Sequence, residues 1–186
     1  MERYNPVSDS WSLGSSISPI RSRAKTVLLP DEKILAIAGY KEDATDTSLV
    51  NQWGYMNLCD MYNPANDSWR RLARLNYTRE YHCNTILVPD GRVIAVGGEG
   101  EPGNEPPFSV IEGFTPPYLF RGIRPAISNL STTNFQRGAN FSFNSNYTDS
   151  LTAVLLISTQ SVTHFMNTGN DRFLYLNFTQ NGSSVT

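Results

Sequence analysis

Short apolar runs, each closed by turn residues, set the rhythm of this chain. Thr26–Leu29 and Thr85–Val88 each run into a Pro-Asp pair, and Ile34–Ala38 and Val93–Val96 each end at glycine. Proline fixes φ for a tight turn and Gly91 supplies the permissive position after it, so the pattern predicts two β-hairpins. Their strands are apolar on both faces, as expected of strands covered from either side. No stretch carries its apolar positions at helical spacing or ends on helix-stop residues, so no α-helix of consequence is predicted.

The two hairpins belong to an internal repeat. The segment ERYNPVSDSWSLGSSI (2–17) returns as DMYNPANDSWRRLARL (60–75), and KTVLLPDEKILAIAGY (25–40) returns as NTILVPDGRVIAVGGE (84–99). The offset is 58 residues at Trp11 and Trp69 and 59 at Pro30 and Pro89, so one residue slips in between. Hairpins with aromatics at a period near 50 residues predict propeller blades. A diglycine-type strand end followed by tyrosine and tryptophan at fixed offsets resembles the kelch repeat. Trp11 and Trp69 are then blade-packing residues. Two copies cannot close a ring, because each blade buries its faces against neighbours. Residues 1–115 are therefore predicted to be the last blades of a propeller, with the missing amino-terminal blades as its partner.

After Gly98 the chain turns rich in glycine and proline, with one further short strand at Ser109–Phe114. A domain boundary is placed in TPPYLFRGIRP, and 116–186 is predicted to be a second domain. Its alternating runs ANFSFNS (139–145), LTAVLLIS (151–158) and RFLYLNFT (172–179) suit an immunoglobulin-like β-sandwich, with too few strands to complete one. The fold class is thus all-β, a kelch-type propeller end followed by an incomplete immunoglobulin-like (early-set) sandwich.

Composition narrows the function. Charged residues are 17% of the chain and the formal net charge is −2, which gives no electrostatic footprint for nucleic acid or an anionic membrane. No run of about 18 apolar residues offers a bilayer span. Asn-x-Ser/Thr occurs at Asn66, Asn76, Asn129, Asn140, Asn146, Asn177 and Asn181. Roughly three such sequons would arise by chance, so the excess points to an extracellular glycoprotein. The polar start MERYNPVSDSW holds no apolar leader, and the expectation is a chain whose beginning is missing. Cys59 and Cys83 could form a disulfide or simply fill buried strand positions. No C-x-x-C pattern offers a zinc site.

The candidate chemistry lies in TREYHCN (78–84) and VTHFMNT (162–168), which hold both histidines of the chain, His82 and His164. The order is kelch hairpin, Arg79-x-Tyr81-His82, PDGRV, GG, FTPPYL, RP, then His164 followed by Asn and Asp-Arg. This order resembles the carboxy-terminal half of the galactose oxidase and glyoxal oxidase family, the copper radical oxidases. The resemblance implies that Tyr81, His82 and His164 bind one copper ion, with His164 on a sandwich loop that reaches down the propeller axis. It implies Tyr81 as the catalytic base. It also places a cysteine-linked tyrosyl radical upstream of this chain, and neither Cys59 nor Cys83 takes that cysteine's place. The chain departs from the pattern at Lys25, where relatives tend to carry histidine.

The residue types agree with that implication. Imidazole nitrogen and phenolate oxygen form a donor set that suits Cu(II). Neighbours on a regular strand point to opposite faces, so Tyr81 and His82 can share an ion only where the backbone bends. Arg79 is expected to pair with an acid such as Glu80 or Glu99, and Trp53 is a candidate for a substrate mouth. The implied activity is oxidation of a small primary alcohol or aldehyde with O2 reduced to H2O2, with this fragment inactive alone. The alternative is a non-catalytic kelch interaction module, in which the three side chains need not converge.

Overall fold

A computed structural model describes residues 1–41, 54–100, 103, 110–158, 162–163, 166–167 and 173–186. Among them the chain is all β apart from one 3-10 turn at Pro117–Phe120. No helix among the described residues is long and apolar enough to cross a membrane. The chain divides into two compact units, Met1–Pro116 with Thr159–Asp171, and Pro117–Ser158 with Arg172–Thr186.

In the first unit the apolar runs become antiparallel sheets in chain order. β1 (Glu2–Asn5) and β2 (Ser10–Leu13) form a hairpin. β3 (Lys25–Leu28), β4 (Ile34–Ile37), β5 (Cys59–Asn63) and β6 (Ser68–Arg71) make a four-stranded sheet. β7 (Cys83–Leu87), β8 (Val93–Gly97) and β9 (Ile111–Phe114) make a three-stranded one. The doubly apolar strands account for the core: Val27, Leu29, Leu35, Ile37, Leu58 and Val93 are fully buried. β3 packs beside β7, so the first strands of the two copies are neighbours.

The sequence repeat is a repeat of contacts. Tyr4 faces Trp11 across β1–β2 and Tyr62 faces Trp69 across β5–β6, with ring centroids 5.1 and 5.0 Å apart and tilts of 42° and 41°. The Tyr4 hydroxyl donates to Asp9 at 2.7 Å and the Tyr62 hydroxyl to Asp67 at 2.8 Å. Both aspartates adopt positive φ, 47° and 49°, which Asp tolerates in turns. The copies differ in what covers them. The Trp69 indole N–H donates to the Ser15 carbonyl at 3.0 Å and Asp67 accepts the Ser15 N–H at 3.0 Å, so the segment after β2 laps over β5–β6. That main-chain donor, with the Tyr62 hydroxyl, holds the Asp67 carboxyl below its usual range. Trp11 has no such cover among the described residues and is 69% exposed.

The glycine at each strand end has a steric reason. A Cβ on Gly98, at φ 90°, would come within 2.6 Å of the Cys83 Cβ, and one on Gly39 within 2.8 Å of the Ser22 carbonyl oxygen. Only glycine permits that approach of backbone to backbone.

The second unit begins with β10 (Ile127–Ser128), β11 (Phe143–Ser145) and β12 (Val154–Ile157). Two short strands, β13 (Val162–Thr163) and β14 (Met166–Asn167), pair with each other inside the first unit. The second unit then resumes with β15 (Phe173–Leu176), β16 (Gln180–Asn181) and β17 (Ser184–Val185). Its sheets are β10-β11-β17-β16 and β12-β15, all antiparallel. Phe143 and Val185 face each other in register and are both buried.

Candidate functional site

The segment 78–82 is pinned from two sides. Arg79 donates its N–H to the Met56 carbonyl and accepts from Gly39 N, both at 3.1 Å, which ties it to the first sheet. Glu80 N donates to the Glu99 carbonyl and Glu99 N to the Tyr81 carbonyl, both at 2.8 Å, which ties the same segment to the end of β8. Thr78, Arg79 and Glu80 are buried. The backbone then turns sharply, with His82 at φ 56°. A positive φ at a side-chain-bearing residue is uncommon and costs about 1–2 kcal/mol. Such conformations cluster at functional sites.

The bend has a direct consequence for the side chains. The Tyr81 and His82 rings lie with centroids 3.8 Å apart at 38°, on one side of the chain rather than on opposite faces. Tyr81 is half-buried and His82 is exposed. The His82 Nδ1 stands 3.8 Å from the Glu99 carboxylate. The donor types of these two rings, a phenol oxygen and an imidazole nitrogen, suit an N,O-preferring transition metal such as Cu(II). Among the described residues no three His, Cys, Asp or Glu side chains gather as a metal site.

His164 lies outside the described residues, as does Trp53. The strands β13 and β14 bracket residues 164–165 in the sequence. β13 packs beside β7, whose first residue directly follows His82.

Beneath the bend lies a buried ion pair. The fully buried Arg79 guanidinium donates from Nε to Glu112 Oε2 at 2.9 Å, with Nη2 also 2.9 Å from the same oxygen, and from Nη1 to the Gly97 carbonyl at 2.5 Å. Glu112 Oε1 accepts the Asn76 N–H at 2.6 Å. The sequence points to Glu80 or Glu99 as the partner of Arg79. The partner is Glu112, because the side chain runs under the sheet toward β9 rather than along its own segment. The first copy repeats the device: Arg21 Nη2 lies 2.8 Å from Asp60 Oδ2, and Asp60 stands opposite Ala36 as Glu112 stands opposite Ala95. Burial presses the Arg21 pKa down and Asp60 opposes that shift. The 58-residue spacing of Arg21 and Arg79, shared with the tryptophans, is the signal that could have found this pair.

Sequence reasoning also passes over Arg23. Its guanidinium pairs with Glu80 Oε1 and lies 5.2 Å from the Tyr81 ring centroid. Lys25, the departure noted from the sequence, opens β3 and is buried, with no hydrogen-bond partner for its Nζ among the described residues. Desolvation lowers its pKa.

Cys59 and Cys83 are both free and both buried, which settles the open question of a disulfide. Desolvation pushes their thiols up to about 12 and about 11 respectively. At pH 8 such groups carry far less thiolate than an ordinary cysteine. Ellman's reagent is therefore expected to find no fast-reacting thiol in the native chain and two after unfolding in guanidinium. A rapid native burst would contradict this placement.

Comparison with known proteins adds four likenesses. Residues 124–186 match the family model of the galactose oxidase-like early set domain. Aldehyde oxidase GLOX1 of Arabidopsis thaliana is 32% identical over 123 residues, which is 60% of this chain and 20% of that protein. Galactose oxidase of Gibberella zeae is 30% identical over 170 residues, 86% of this chain and 23% of that protein. A solved structure described as a novel fungal alcohol oxidase of the AA5 family, in complex with copper, superimposes with a TM-score of 0.76 at 23% identity. The match covers 95% of this chain and 38% of that one, and it shows a shared fold. The chain thus spans less than a quarter of the length of these two relatives, 20% and 23%.

Proposed function

From a chain that carries the galactose oxidase-like early set domain at 124–186 and is related to galactose oxidase and aldehyde oxidase GLOX1, we propose a carboxy-terminal portion of a secreted copper radical oxidase. Residues 1–115 supply the last kelch-type blades and 116–186 the sandwich. One copper ion is held by Tyr81, His82 and His164. The observation that carries this reading is the bend at His82, φ 56°, which sets the Tyr81 and His82 rings 3.8 Å apart on one side. The packing of β13 beside β7 supports the inclusion of His164. Secretion is supported by the sequons: all seven asparagines are exposed, so each is open to a glycan.

Copper bound there, together with a cysteine-linked tyrosyl radical contributed by upstream sequence, supplies the two redox equivalents that take a primary alcohol or an aldehyde to its oxidised product and dioxygen to hydrogen peroxide. The chain's own residues hold and move the proton. His82 and His164 offer imidazole nitrogens as firm ligands. Tyr81, the weaker ligand, would accept the substrate hydroxyl proton at its Oη as general base. The Arg79–Glu112 pair keeps the preceding main chain rigid, so the proton acceptor stays in place. Cys59 and Cys83 are buried and take no part in the radical partner, so these 186 residues alone are not expected to turn over.

Titration of the metal-free chain with Cu(II) tests this reading. The expected result is one equivalent bound per chain, with a tetragonal paramagnetic signal showing nitrogen coupling from imidazole. Absence of binding, or a signal without nitrogen coupling, would overturn it.

A further inference from the structure

We propose that Arg23, from the preceding repeat copy, is a positioning residue that clamps Tyr81 both through its ring and through its main chain. This rests on the reading of Tyr81 as a metal ligand and proton acceptor. Arg23 and His82 stand 59 residues apart and share one backbone conformation, φ 56° in each, just before an inner strand. Where the second copy offers an imidazole, the first offers a guanidinium, and the packing of β3 beside β7 brings these two bends together. The Arg23 guanidinium carbon lies 5.2 Å from the Tyr81 ring centroid and 5.8 Å from that of Tyr40. Its Nη1 pairs with Glu80 Oε1. The Glu80 side chain is 3% exposed, and its second oxygen accepts the Tyr81 N–H at 2.9 Å.

One cation therefore restrains Tyr81 at two points, the ring by its face and the backbone through the Glu80 carboxylate. The task needs the planar guanidinium. A lysine ammonium is a compact point charge and cannot both spread over a ring and reach the Glu80 carboxylate from a separate nitrogen. The consequence is a phenol oriented before any metal arrives, its ring held against His82.

The test uses the 186-residue chain with Arg23→Ala, Arg23→Lys and Glu80→Gln. The first readout needs no metal: nitration of Tyr81 by tetranitromethane, followed by mass spectrometry. Loss of the clamp raises the Tyr81 rate at least about threefold in Arg23→Ala and Glu80→Gln, with Arg23→Lys in between, and leaves Tyr62 unchanged. The second readout is the phenolate-to-copper charge-transfer band of the loaded chain, which weakens or shifts in the same order. Nitration and band both unchanged in a folded Arg23→Ala chain would overturn the proposal. Should that variant fail to show native circular dichroism, Arg23→Lys decides by the same criteria. Tyr81→Phe separates the two layers of argument: a band that survives it sinks the metal reading, while the nitration result still judges the clamp.

Discussion

The Glu112→Ala substitution lowers the stability of this chain by about 3–5 kcal/mol, read as a fall in the urea midpoint with little change in slope. The size follows from what is left behind. Arg79 is fully buried, and Glu112 takes two of its nitrogens on one oxygen while its other oxygen holds the Asn76 N–H. Removing the carboxylate strands an uncompensated guanidinium in the core and orphans a main-chain donor. A domain is typically stable by only about 5–15 kcal/mol, so the loss takes a large share of the total. Two comparisons fix the mechanism. Asp90→Asn breaks the Arg92–Asp90 pair, whose side chains are 55% and 42% exposed, and changes stability by no more than about 1 kcal/mol. Replacing Arg79 and Glu112 together by apolar residues of similar volume recovers much of what the single substitution loses. If Glu112→Ala and Asp90→Asn prove equally mild, the buried pair is not what anchors the segment under Tyr81.

The same pair shows where sequence reading stops. The strands, the Pro-Asp turns and the Tyr–Trp pairing were legible because each depends on residues close in the chain or on spacing repeated between copies. The requirement for a bend at Tyr81–His82 was legible too, since a regular strand cannot put two neighbours on one side. What supplies the bend, a non-glycine residue at φ 56°, leaves no signal in the letters. The partner of Arg79 lies 33 residues away on β9, and several acids were nearer in sequence, so proximity misled. Arg23 over Tyr81 depends on one repeat copy packing against the next, 57 residues from Arg23 to Glu80. Contacts of that kind are decided by sheet packing, and local pattern carries no trace of them. The cysteines were undecidable from sequence for the same reason: whether two strand residues meet is set by sheet packing, and here both are free and buried.

The second large effect concerns copper. His82→Ala and His164→Ala are each expected to lower Cu(II) affinity at least about 100-fold, since loss of an outer hydrogen-bond partner of a ligand alone costs about 10–100-fold. Competition against a chelator of known affinity measures both. The informative quantity is the double substitution. Two imidazoles gripping separate ions give losses that add, because distant sites behave independently, and imidazoles that grip none give no loss. Two imidazoles on one ion give a double loss little larger than either single one, because the first removal already dismantles the unit. His82 lies beside Tyr81 just before β7, and β13, which immediately precedes His164 in the sequence, packs beside that same strand. Tyr81→Phe is expected to weaken binding less than either histidine change, in keeping with the weaker ligand role proposed for it, while abolishing the charge-transfer band. Additive losses for the two histidines, or none, would leave the exposed His82 imidazole without a shared ion, and the oxidase reading would have no centre.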